Sequence, residues 1–206
     1  MSIYLLERHR RSTDVATTDF LQAEPHHTSS APLCEACGNP IGLRQWEPPF
    51  RVELETWGLR FGDLAFGPAD EFLVSERFKA LWEEAQLVGL HGFQPVEIIK
   101  VRERGGRVRR SPPAYFRVQV KRSAVAADQF RSGIQWMSPP TCNVCRVGTI
   151  RARERIVLES EPTENIFFAR GLPGQVLVDE HVRSFCERHA IANCDLAPAE
   201  LASRGY

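Results

Sequence analysis

Cys34-Glu35-Ala36-Cys37-Gly38 and, far downstream, Cys142-Asn143-Val144-Cys145 with Gly148 close behind are the stretches on which the fold turns. A Cys-x-x-Cys spacing suits a tight knuckle that aims two sulfurs at one metal. Cys34, Cys37, Cys142 and Cys145 therefore read as a split four-thiolate site for a structural Zn2+. Four thiolates close the tetrahedral shell and leave no position for a catalytic water. Compact zinc ribbons separate their pairs by roughly 15–20 residues. Here a domain-sized segment intervenes, so the metal is expected to clip distant parts of one fold together.

Other uses of these thiols make different demands. A redox dithiol opens a helix after a strand, whereas Pro40 and Pro139-Pro140 place both pairs in loops. Structural disulfides belong to secreted chains. From Met1 to Arg11 the apolar run is too short for a secretory signal, so a reducing, cytoplasmic setting is expected. His26 and His27 lie near the first pair, but adjacent histidines in a polar segment read as solvated. Cys186 and Cys194 are left as reduced thiols, Cys186 in a helix core.

The 206 residues, 43% hydrophobic and 25% charged, suffice for one core or two small ones. No apolar run approaches the ~18 residues of a membrane span. A formal net charge of zero removes any generic attraction to a polyanion and speaks against nucleic acid as a partner. Oligomeric state leaves no mark on the sequence.

Working outward from the knuckles, Ile3 to Glu7 reads as a strand, followed by a polar lead-in through residue 32. Arg51 to Glu55 alternates as a second strand, and Asn165 to Ala169 reads as a buried one. Ser75 caps a helix in which Phe78, Leu81, Trp82 and Ala85 share a face and which stops by Gly89. Asp179 caps another, with Val182, Phe185, Cys186 and His189 on one face. Ala124 to Phe130 reads as a short helix.

Residues 98–121 read as a hairpin turning at Gly105-Gly106, with Tyr115 to Lys121 in strict alternation. Lys100, Arg102, Arg104, Arg107, Arg109, Arg110, Arg117, Lys121 and Arg122 gather there against Glu103 alone. Such a concentration serves a solvated face, an acidic protein partner or nucleic acid.

Phe72-Leu73-Val74-Ser75-Glu76 aligns with Val176-Leu177-Val178-Asp179-Glu180; Phe78, Leu81, Trp82 and Leu87 then match Val182, Phe185, Cys186 and Ile191 at a constant offset. The knuckles keep nearly the same offset. The expected fold is α+β: two related halves (knuckle, strands, amphipathic helix) joined by the shared site, with the basic hairpin as an insertion. The segments would be 1–32 (strand and lead-in), 33–99 (first half), 100–135 (hairpin and connector) and 136–206 (second half), in one compact unit.

On CEACG at 34–38, CNVCRVG at 142–148 and LVSERF at 73–78 followed by VGLHGFQPVE, the chain resembles the bacterial double-CxxCG motif immunity proteins. The resemblance covers residues from about Leu33 to Leu196. The second motif departs from the pattern, with Arg146 where glycine would follow the cysteine. It implies a cytoplasmic, non-catalytic protein that binds and neutralises a cognate toxin delivered between cells, with zinc as structure.

The residues themselves are compatible with that. No nucleophile triad, glycine-rich phosphate loop or distinguishable carboxylate pair stands out, so an enzyme is not expected. An inhibitor needs a rigid scaffold and a charged, shaped surface. Glu83, Glu84, Asp179 and Glu180 would suit a basic toxin and the arginine stretch an acidic one. The alternative is a zinc-ribbon nucleic-acid binder using the arginine-rich 100–122 hairpin.

Overall fold

Period-two alternation and capped helical runs become a strand-rich architecture in the computed structural model, which describes residues 2–8, 16–68, 71–105 and 111–205. The first part of the chain forms β1 (Ile3–Glu7), β2 (Thr17–Gln22), β3 (His27–Thr28), β4 (Trp46–Glu47), β5 (Arg51–Trp57), β6 (Leu64–Phe66), β7 (Phe72–Ser75), α1 (Glu76–Glu84), β8 (Leu90–Pro95) and β9 (Glu97–Gly105). The rest forms β10 (Tyr115–Val120), β11 (Arg122–Ala126), β12 (Gln135–Ser138), β13 (Thr149–Arg153), β14 (Ile166–Arg170), β15 (Val176–Asp179), α2 (Glu180–Arg188), β16 (Asp195–Pro198) and β17 (Arg204–Gly205), with a 3-10 turn at Ala199–Leu201. The class is mixed α+β, as expected.

One sheet has the order β8-β10-β7-β6-β2-β5-β9 and another β11-β14-β15-β1-β16; β12-β13-β17 and β3-β4 are smaller. The large sheets share a five-strand run, β2-β6-β7-β10-β8 in one and β11-β14-β15-β1-β16 in the other. In both, the first pairing is parallel and the next three antiparallel. Each helix follows the strand at the same place in its run, α1 after β7 and α2 after β15. The strand beside it comes from distant sequence: Phe116 of β10 lies opposite Val74, and Tyr4 of β1 opposite Val178.

Three expectations change. The hairpin over 98–121 does not form: β9 pairs parallel with β5, and β10 pairs with β7 and β8. β10 is covered on both faces, Val118 packing with the helices and Tyr115 with Phe20 and Trp46, so it is no arm of an exposed hairpin. Gly106, Arg107, Arg109 and Arg110 lie outside the described residues. Ala124 to Phe130 is not a helix, because Ser123, Val125 and Ala126 are buried on β11 beside β14, and sheet pairing overrides local propensity. The polar lead-in contains β2, whose Thr17, Thr18 and Asp19 are buried between β5 and β6.

The main core lies where the helices meet. Phe78 stacks on Trp82 at 5.6 Å, and both rings meet Phe185 edge-on, at 5.5 and 5.8 Å. Val74, Val118, Val176 and Val178 extend the same cluster into both sheets.

The buried caps continue this reciprocity. Ser75 Oγ accepts from the Phe78 amide and donates to Asp63 Oδ1, while Asp179 Oδ1 accepts from His181 and Val182 and its Oδ2 from Asn165 Nδ2. Asp63 and Asn165 then each reach past the other helix. The Asp63 amide donates to Ala192 O at 3.0 Å and Asp63 Oδ2 accepts from the Ala192 amide at 2.9 Å. The Asn165 amide donates to Val88 O, and Asn165 Oδ1 accepts from the Val88 amide, both at 2.9 Å. Asp179 is thus no surface acid. Ser75→Ala should cost about 1 kcal/mol and Asp179→Ala about 2, since the latter removes the acceptor of two amides and of Asn165 Nδ2; urea titration would read both.

Candidate metal centre

Each knuckle sits at the tip of a short antiparallel ribbon, β3-β4 for the first and β12-β13 for the second. Trp46 at the base of the first is 2% exposed, stacked on Phe20 at 6.0 Å and edge-on to Phe50 at 5.0 Å. At the base of the second, Gly148 is required by close approach: a Cβ there would sit 2.7 Å from Ser138 O and 2.8 Å from the Trp136 ring.

The two turns have the same hydrogen bonding. The Gly38 amide donates to Cys34 O at 2.8 Å and the Arg146 amide to Cys142 O at 2.9 Å. Gly38 has φ 73° and Arg146 φ 54°, so the residue that departs from the motif adopts the conformation glycine would take. Its side chain pairs with Glu159 at 2.5 Å. A Cβ on Gly38 would meet nothing within 4 Å, so Gly38→Ala should cost only backbone strain, about 1 kcal/mol. At the other turn, Arg146→Gly should exceed Arg146→Ala in stability by about the same amount, since neither keeps the ion pair. Equal melting temperatures for those two variants would refute the shared turn geometry.

All four sulfurs lie within 4.8 Å of one another, as a metal site requires. Across the knuckles, Cys34 Sγ is 4.0 Å from Cys142 Sγ and Cys37 Sγ is 3.7 Å from Cys145 Sγ. A ~2.3 Å metal–sulfur bond sets a tetrahedron edge of about 3.8 Å, while a disulfide would need about 2.05 Å. All six cysteines are free thiols. Cys34 and Cys145 are buried, Cys142 is half-buried and Cys37 is exposed, so the cluster opens to solvent on one side. The Cys145 and Val144 amides hold the Cys142 thiol down to about 7. At Cys37 the Asn39 amide lowers the pKa, but partial desolvation of the sulfur and the other three sulfurs outweigh it and push it up to about 12. Crowded thiols resist shared ionisation, and a bound cation would relieve this by displacing their protons.

The structure thus brings together every sulfur expected from the spacing. His26 is engaged with Glu24 at 2.9 Å, and His26 and His27 stay outside the cluster. Cys186 and Cys194 lie elsewhere, their sulfurs 3.4 Å apart. A supporting residue without any sequence signal is Arg170, which donates to Val144 O at 2.9 Å and holds the second knuckle.

The basic stretch is partly neutralised. Arg102 pairs with Glu53, Arg104 with Glu55 at 2.6 Å, and Lys121 with Glu164 at 2.9 Å. The β5 strand carries those first two carboxylates on the face opposite Val52 and Leu54, where they meet the arginines of β9, its parallel neighbour.

Comparison with family models gives no match, and comparison with curated proteins gives none either. No helix among the described residues is long and apolar enough to cross a membrane.

Proposed function

We propose that this is a non-catalytic immunity protein of the cytoplasm, binding and neutralising a cognate bacterial toxin on a scaffold held by a structural zinc ion. One observation carries the reading: the two Cys-x-x-Cys motifs on which the resemblance rests converge on a single four-sulfur cluster. Its donor set and edge lengths suit zinc, which prefers tetrahedral thiolates and brings no redox chemistry of its own. A closed shell of this kind stiffens a surface, and stiffness is what an occluding inhibitor needs, since loops ordered beforehand cost less on binding.

We further propose that the chain is a duplicated unit, one copy running from β1 to β8 and the other from β10 to β16, whose copies exchange their first strands. Support comes from the matched five-strand runs, the paired caps and the reciprocal Asp63–Ala192 and Asn165–Val88 bonds. The exchange ties the halves together independently of the metal.

The test is co-expression with the product of the adjacent reading frame. Full rescue from one specific toxicity is the expected outcome, and growth arrest unchanged by this protein would sink the immunity reading. The alternative, a zinc-ribbon nucleic-acid binder using the 100–122 stretch, has weaker support because Arg102 and Arg104 already face carboxylates. It demands binding that falls steeply with salt.

A further inference from the structure

Beside the sulfurs, a cavity of about 710 Å³ opens between the first knuckle, the second knuckle and the turn after β14. Its lining includes Leu33, Ile41, Leu43, Val144, Val147 and Leu172. Three of these, Leu33, Leu43 and Val144, are also large hydrophobic side chains more than half exposed, at 57%, 57% and 52%. Scattered apolar side chains need no explanation, but a cluster around one concavity marks a contact surface.

A second cavity of about 380 Å³ adjoins it, with Leu43, Arg122 and Phe168 as common wall. With Lys121 already paired to Glu164, the two together carry Arg44, Arg117, Arg122 and Arg170 against Glu35 and Glu71. This is a cationic excess in a chain whose formal net charge is zero. The arginines are held in place. Arg122 lies over the Phe168 ring at 5.6 Å and Arg117 over the Phe50 ring at 5.1 Å. Gly42 makes room for the first of them, since a Cβ there would come within 2.0 Å of the Arg122 guanidinium. Guanidiniums held over aromatic rings have already lost side-chain freedom, so pairing with a carboxylate costs less order.

We propose that this cleft receives an acidic segment of the partner protein, with aliphatic side chains seated at the metal end and carboxylates on Arg44, Arg117 and Arg122. The inference rests on the immunity reading for the partner's identity and deepens it by assigning the binding face. It narrows the acid-receiving surface from the whole arginine-rich 100–122 stretch to Arg117 and Arg122 at its end, with Arg44 beside them. The metal shapes the apolar wall, because both knuckles contribute to it.

A random-peptide display selection on the full-length, zinc-loaded protein tests this without any toxin. The expected consensus places aspartate or glutamate next to leucine, isoleucine or phenylalanine. Synthetic peptides from it should bind about tenfold more weakly to Arg44→Glu/Arg122→Glu and to Leu43→Asp, and unchanged to Arg188→Glu. Circular dichroism and metal content establish that the variants are folded. No enrichment, a basic or uncharged consensus, or equal binding by the charge-reversed protein would overturn the proposal. So would a dimer broken by Leu43→Asp, which puts a second copy in the cleft, or oligonucleotide binding abolished by the arginine variants. Toxin rescue without a consensus removes the cleft alone, and a consensus without rescue removes the immunity reading alone.

Discussion

Cys34→Ser should abolish stoichiometric zinc binding and lower the melting temperature by roughly 10–20 °C, the shift that a loss of about 5 kcal/mol gives at this chain length. Structural thiolate sites contribute on the order of 10 kcal/mol to folding in small domains, against a whole-domain stability of about 5–15 kcal/mol. Three hydrophobic clusters and the strand pairing within both large sheets remain without the metal, so only part of that contribution should appear as lost stability. Because Cys34 and Cys142 lie 4.0 Å apart across the two knuckles, Cys142→Ser should produce the same fall. The double variant should add little to either single one. Metal analysis with calorimetry reads all three, and chelated wild-type protein should match them. Retained zinc in either single variant, or additive losses, would contradict one shared site.

Trp82→Ala is expected to cost about 3–5 kcal/mol, the range for deleting a large aromatic from a core. Its ring is 2% exposed, stacked on Phe78 and edge-on to Phe185 of the other helix. The surrounding strands bear both helices and fix their separation, so the site has little freedom to collapse. The loss should therefore sit at the upper end. Phe185→Ala opens the same cavity from the opposite side, and the pair should show a coupling energy of about 0.5–3 kcal/mol in a double-mutant cycle. Additivity in urea titrations would mean that the helices pack independently.

The helices and their caps were legible because everything that makes them is local. Ser75 and Asp179 reach amides only two or three residues on, and the spacing of Phe78 with Trp82 and of Val182 with Phe185 defines the buried faces. The four clustered sulfurs were legible for a related reason. A knuckle is a local turn, and thiols so spaced announce a metal whatever lies between the pairs. Arg146 shows where a motif can mislead: its side chain breaks the glycine pattern, yet its backbone keeps the turn.

What failed was the choice of partners. Alternation marks Tyr115 to Val120 as a strand, but a strand pairs on both edges with whatever the fold brings up, and β10 takes β7 and β8. The same freedom sends β1 to the far sheet and β9 to β5, where the carboxylates of Glu53 and Glu55 meet its arginines. The sequence by itself determined the mixed class, the two capped helices and the four sulfurs, because caps, periodicity and knuckles are written within a few neighbouring residues. Only the tertiary structure decided the sheet partners of β1 and β10, the neutralised arginines and the cleft beside the four sulfurs, because hydrogen bonding between strands, burial and charge pairing act between residues that share space and no local signal.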